Sequence, residues 1–288
     1  MISTFLSLYA ALSLGTTTPF TTPVDYSQAL PASLIPVKQE HAIAPVIEAK
    51  ASIIVDFDSG SILFEHNSSK QLQMASITKL MTAIIALEQG DLDDVVSVSN
   101  KAALTEGSKV WLLQGEQLSL RSVLEAALIH SGNDAAVAIA EHIGGDVEAF
   151  VEMMNKKAQK LELYSTHYEN PIGFDSIQNY STVRDLSLLA RYAFRKEFIK
   201  KTVRIQSKTI SSLDGNITHD LTSTNKLLGS SWNVLGLKTG HTEAAGLCFI
   251  SIIENEKGNK IITVVLDSPA RFEETKKLAS WAFRSYTW

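Results

Sequence analysis

The segment Ser76–Glu88 (SITKLMTAIIALE) constrains the fold more than any other part of the chain. Apolar residues at Ile77, Leu80, Met81, Ile84, Ile85 and Leu87 recur at helical spacing and cover nearly the whole circumference. Such a helix has no face to give to water, so it must run through the centre of the protein with the rest of the chain wrapped around it. Lys79 lies inside this apolar run, where a lysine needs a reason, because a buried ammonium without partners is costly. Ser76 stands three residues earlier, which puts its hydroxyl and the Lys79 amine on one helical face within reach of each other. It also opens the helix, where the first backbone N–H groups have no intrahelical partner and a developing oxyanion is stabilised.

The surrounding pattern predicts a single domain of about 240 residues, a size that buries a full core. Ala51–Asp56 and Ser61–His66 read as two strands around the turn Asp58-Ser59-Gly60. Helices are expected at Leu120–Ile129, Asp134–Ile143, Val147–Leu161 and Thr182–Phe194. Leu247–Glu254 and Lys260–Asp267 read as strands around Glu256-Lys257-Gly258-Asn259, and Ala270–Tyr286 as a closing amphipathic helix. The result is an α/β fold with a central sheet drawing strands from both ends of the chain, flanking helices and a helical insert.

The ordered domain is expected from Ile47 to Trp288, after a leader over residues 1–46 that is rich in Thr, Pro, Ser and Ala. Within that leader Ile2–Leu14 is apolar, too short to span a bilayer comfortably, and of a length that suits the core of an export signal or anchor. A formal net charge of −5 gives no reason to expect nucleic acid as a partner. No polybasic run suggests a membrane patch. The one cysteine, Cys248, lies in the apolar run Gly246–Ile253 and reads as a buried structural thiol. Glu141-His142 finds no second ligand at helical spacing, so no metal site is expected.

Three short motifs stand out in chain order: Ser76-Ile77-Thr78-Lys79, Ser131-Gly132-Asn133 and Lys238-Thr239-Gly240. Each alone has a plain structural explanation. Ser76 can be a helix cap, Asn133 another, and Gly240 a close approach of backbone in a strand. All three in this order are a different matter.

With these residues the sequence resembles the low-molecular-mass penicillin-binding proteins, the serine D-Ala-D-Ala carboxypeptidase family, in which S-x-x-K and K-T-G elements recur. The likeness extends to MASITKLMTA around Ser76, SGNDAA from Ser131, ENPIGFD at Glu169–Asp175, STVRDLSLLARYA from Ser181, STNKLL from Ser223 and GLKTGHTEAAG around Lys238. It implies a β-lactamase/transpeptidase-like fold and peptidoglycan peptides ending in D-Ala-D-Ala as substrate, with β-lactams as inhibitors and no cofactor. It further implies that Ser76 forms an acyl-enzyme, that Lys79 takes its proton, and that Ser131 relays a proton to the leaving amine. Asn133 would hold the substrate amide, and Lys238 and Thr239, helped by Arg271, the terminal carboxylate. Gly240 would let the strand approach, and the backbone N–H groups of Ser76 and His241 would form an oxyanion hole.

Many family members continue into a β-rich second domain and a terminal amphipathic helix. Here the expectation is that any membrane attachment comes through the N-terminal segment, on the extracytoplasmic side where peptidoglycan lies. Short relatives include D,D-endopeptidases, which keeps that alternative open. A β-lactamase is disfavoured because Glu169-Asn170-Pro171 lacks the spacing of a deacylating glutamate loop. An inactive penicillin-binding sensor is disfavoured because every motif residue is intact.

Overall fold

Ile53–Val55, Phe249–Ile253 and Ile261–Leu266 are apolar or small at odd and even positions alike, so both faces of the strands they form need cover. The computed structural model, which describes residues 35–288, provides it. The predicted export segment Ile2–Leu14 lies outside the described residues. The principal strands in chain order are β1 (Ala51–Asp56), β2 (Ile62–His66), β3 (Ser207–Ser211), β4 (Thr218–Thr222), β5 (Val234–Thr242), β6 (Gly246–Glu254) and β7 (Lys260–Ser268). Five of them form an antiparallel sheet in the order β5-β6-β7-β1-β2, so strands from both ends of the chain meet at the β7–β1 pair.

The principal helices are α1 (Lys79–Gln89), α2 (Leu120–Glu125), α3 (Asn133–Gly144), α4 (Val147–Lys160), α5 (Val183–Phe194) and α6 (Arg271–Ser285). Alternate residues of β7 serve two cores. Ile262, Val264 and Leu266 join the larger one, which holds α1 and the helical insert. Ile261 and Val265 point the other way, into a smaller core with Leu278, Trp281 and Ala282 of α6. The helix starts carry their own stops: Ser119, Asp146 and Thr182 each accept a hydrogen bond from the backbone N–H three residues on.

Three departures from the predicted elements bear on the site. The expected helix Ser76–Glu88 begins as a 3-10 turn over Ala75–Thr78 and becomes α-helical only at Lys79. The expected helix Leu120–Ile129 ends in a π-helical turn over Ala126–His130. This widened turn delivers Ser131 in the left-handed region, at φ 68°. Hairpin β3–β4 was not predicted, because its strands SKTIS and THDLT offer only Ile210 and Leu221 as apolar residues.

The closing helix is fastened by Glu274, which is buried and accepts hydrogen bonds from the Glu48 and Ala49 backbone N–H groups and from Ser268 Oγ. Glu274→Ala leaves those donors without an acceptor. Its expected cost is about 1–3 kcal/mol, read as a lower urea midpoint with an unchanged m-value.

Candidate active site

The three motifs converge where the start of α1, the π-turn corner and edge strand β5 meet. Ser76 sits on the 3-10 turn and Lys79 one turn further on, its Nζ 2.9 Å from Ser76 Oγ. Lys79 is fully buried. Its Nζ also donates to Asn133 Oδ1 at 2.7 Å and to the Ile172 carbonyl at 2.8 Å. Two of these partners are carbonyl oxygens that only accept, while the third is a hydroxyl that can also donate. A neutral amine can also meet all three: with two N–H groups given to Asn133 and Ile172, its lone pair is free to accept from the Ser76 hydroxyl. Burial does most to hold the Lys79 pKa well below the ordinary lysine value, and the nearby Lys238 charge adds to it. Asp134 opposes them in part.

The second arm is similar. Lys238 Nζ donates to Ser131 Oγ at 2.8 Å and to the Thr239 carbonyl at 2.9 Å. Burial, and to a lesser degree Arg271, push the Lys238 pKa down to about 7. Thr239 Oγ1 lies 2.6 Å from Thr224 Oγ1. Arg271, at the head of α6, donates to the Gly240 carbonyl at 2.7 Å and so buttresses β5 from outside. The His241 side chain is exposed. Gly240 is needed for proximity, since a Cβ there would lie 2.8 Å from the Met74 carbonyl oxygen and 3.2 Å from the Ser76 nitrogen. All nine residues singled out in the sequence therefore fall in this region, with Arg271 touching the others only through the strand backbone.

Asn133 is not the helix cap. Gly132 occupies that position, and the Asn133 amide is turned inward, accepting from Lys79 and donating to the Glu106 carbonyl. Cys248 is buried, as expected, and burial pushes its thiol up to about 12, which keeps it protonated and inert. Among the described residues no group of three or more His, Cys, Asp or Glu side chains is arranged to hold a metal ion.

Several supports were not foreseen from the sequence. The ENPIGFD segment supplies the Ile172 carbonyl to Lys79, and it is folded by Asn170 Oδ1, which accepts from the backbone N–H groups of Ile172, Gly173 and Phe174. The Pro171 carbonyl accepts from Thr82 of α1 at 2.7 Å. Buried Asp134 accepts from the Val110 and Leu112 N–H groups and fixes the segment beside Asn133. The sequence signal was available in part: the Asn-Pro-x-Gly pattern reads as a turn, and Thr224 lies in the STNKLL segment.

The structure of the Streptomyces K15 DD-transpeptidase superposes with a TM-score of 0.80 at 28% identity, covering 84% of this chain and 99% of that one. Penicillin binding protein 5 from Haemophilus influenzae superposes with a TM-score of 0.77 at 33% identity, covering 84% and 72%. The fold is thus that of the penicillin-binding DD-transpeptidases. A family model for D-alanyl-D-alanine carboxypeptidases matches residues 38–270, and the chain belongs to that family. D-alanyl-D-alanine carboxypeptidase DacF of Bacillus subtilis is 34% identical over 249 residues, covering 83% of this chain. The chain spans 63% of the length of that relative. A D-alanyl-D-alanine endopeptidase of Pseudomonas aeruginosa is 29% identical over 286 residues, covering 98% of this chain and 86% of the relative.

Gly173 ties the ENPIGFD loop to the 3-10 turn that carries Ser76. Its φ is +83°, and a Cβ there would fall 1.9 Å from the Ala75 carbonyl oxygen. Gly215 has a similar φ of +74° but open space around it. Gly215→Ala is therefore expected to cost only the left-handed strain, about 1–2 kcal/mol. Gly173→Ala adds a steric term of about 1–3 kcal/mol and displaces the Lys79 acceptor. Chemical denaturation of the two variants in parallel separates strain from clash.

Proposed function

We propose that this protein is a serine-type D-Ala-D-Ala carboxypeptidase that trims peptidoglycan stem peptides through an acyl-enzyme on Ser76, on the extracytoplasmic side. The observation that carries this reading is the buried Lys79 amine, 2.9 Å from Ser76 Oγ, with its two other partners able only to accept.

In the first step Ser76 Oγ attacks the carbonyl of the penultimate D-Ala. The O–C bond forms as the hydroxyl proton passes to Lys79 Nζ, and the backbone N–H groups of Ser76 and His241 receive the oxyanion. The C–N bond then breaks, and the departing amine of the last D-Ala takes a proton from Lys79 by way of Ser131. Water attacks the ester in the second step, giving its proton back through the same base, and frees the shortened peptide and Ser76. Asn133 would hold the substrate amide. Lys238, charged, would hold the terminal carboxylate together with Thr239, while Arg271 keeps β5 in place. β-Lactams would enter the first step and stall before the second.

A second reading is favoured by one specific observation. A protein named D-alanyl-D-alanine endopeptidase, from Pseudomonas aeruginosa, is among the relatives this chain resembles. The same acyl chemistry applied to a cross-link would release a peptide amine instead of free D-Ala. Assaying release of D-Ala from a pentapeptide beside cleavage of a cross-linked dimer decides between them.

The two lysines act in opposite directions on the pH profile. Loss of a proton from Lys79 creates the base, so kcat/KM rises with pH through a limb well below 10.5. Loss of a proton from Lys238 removes the carboxylate's partner and raises KM. That pKa is about 7 in the empty site and increases when a carboxylate binds, so KM rises with pH before kcat falls. Lys238→Arg, whose charge does not titrate, is expected to remove the KM rise, and Ser76→Ala to abolish the benzylpenicillin adduct in intact-mass measurements. A KM rise that persists in Lys238→Arg contradicts the role given to Lys238. An adduct that persists in Ser76→Ala contradicts the nucleophile.

A further inference from the structure

Away from the site, the outer side of α6 carries an arm whose apolar residues point into solvent although its backbone is fastened. Val37 and Lys38 pair with Thr287 and Tyr286, and Gln39 N donates to the Ser285 carbonyl at 2.8 Å. Trp281 Nε1 donates to the Ile43 carbonyl at 2.6 Å, and the Glu48 and Ala49 N–H groups end on Glu274. The arm thus runs back along α6 from its last turn to its first. This course leaves Ile43 87% and Val46 86% exposed, and Ile35 and Val37 are exposed as well. Single exposed apolar residues are ordinary, but four in one fastened segment call for an explanation.

Ile43 and Val46 line one open groove with Trp232 and with Lys276, Lys277 and Arg284 of α6. Lys277 and Arg284 are both exposed and stand two helical turns apart, on one face. Neither has an ion-pair partner among the described residues, while Lys276 is paired with Glu273, the one acid in the groove, at 2.6 Å. Glu40 and Glu48 of the arm do not line it. The lining therefore carries three cations and one acid in a chain of net charge −5. The sequence holds no polybasic run because these cations come together only on the helix.

Aliphatic side chains bordered by unpaired Lys and Arg fit the interface of a bilayer with anionic headgroups, where the first enter the acyl boundary and the second meet phosphate. The course of the chain agrees. Toward the N-terminus the arm leads to the apolar segment Ile2–Leu14, and the chain from Leu14 to Ile35 spans at most about 75 Å. A bilayer that held that segment would stay within reach of the groove. Because α6 covers the sheet face opposite α1, the turn carrying Ser76 would remain on the side away from lipid.

We propose that the groove between the arm and α6 is a lipid-facing surface that seats the domain on a bilayer containing anionic headgroups. This does not depend on the hydrolytic reading above.

The test is co-sedimentation of the full chain with vesicles of phosphatidylcholine alone and of phosphatidylcholine with about a third phosphatidylglycerol. Wild-type protein is expected to partition more strongly to the anionic vesicles. Lys277→Gln with Arg284→Gln should lower that partition roughly twentyfold, since each cation near an anionic surface is worth about fivefold, and leave binding to the neutral vesicles unchanged. Ile43→Ser with Val46→Ser should weaken binding to both. Lys156→Gln with Lys160→Gln, exposed on α4, removes the same charge elsewhere and should change little. Urea midpoints near that of wild type establish that the variants fold. Wild-type binding indifferent to phosphatidylglycerol would assign all of it to Ile2–Leu14 and overturn the proposal. So would an equal loss in the α4 pair, the mark of net charge alone. Self-association that needs Ile43 and Val46, without vesicle binding, would give the groove to a second copy and also overturn it.

Discussion

The structure depends on one buried amine. Lys79 sits without solvent exposure on the central helix, and its nitrogen is held by a hydroxyl, a side-chain amide and a backbone carbonyl from three separate parts of the chain. A charged group so placed costs several kcal/mol unless its partners compensate, and the less costly solution is to shed the proton. The neighbouring Lys238 reinforces that choice, and Asp134 moderates it. The same arrangement that makes the lysine tolerable in the core suits it to the proposed role of base beside Ser76. Stability and chemistry are thus set by the same contacts.

Much of the fold serves to bring those partners in. The π-turn ending at His130 swings Ser131 into a left-handed conformation toward Lys238, and Gly132 lets α3 start with Asn133 facing inward. The ENPIGFD loop packs so closely on the 3-10 turn carrying Ser76 that only glycine fits at position 173. Edge strand β5 approaches Ser76 with the same intolerance of a side chain at Gly240, and Arg271 supports it through the Gly240 carbonyl. Close backbone approach at two points leaves little freedom in where the serine stands relative to the two lysines.

The parts of this legible in the sequence were those with a strong periodic or chemical signature. The all-round apolar helix demanded a central position, the two hydrophobic strand pairs marked the sheet, and a lysine in an apolar run declared itself as unusual. The seven candidate residues within the three motifs lie where the motifs meet, and His241 and Arg271 adjoin them through β5. What stayed hidden depends on backbone carbonyls and buried carboxylates, whose roles leave no pattern: the Ile172 carbonyl, Asp134 and Glu274 are invisible until the chain is folded. Hairpin β3–β4 was missed because its stability comes from tertiary contacts such as that of His219 with Glu116 and not from alternating apolar residues. The split between the 3-10 turn and α1 is a matter of a single turn, below what spacing can resolve.

The most direct measurement is the titration of Lys79 itself, by NMR of protein carrying 13C at the lysine ε-carbons, with Lys79→Arg to assign its resonance. The account predicts a neutral amine over much of the working range, with a midpoint well below 10.5. A Lys79 resonance that titrates at the ordinary lysine value would mean that the buried nitrogen keeps its proton, and the proposed base would not exist.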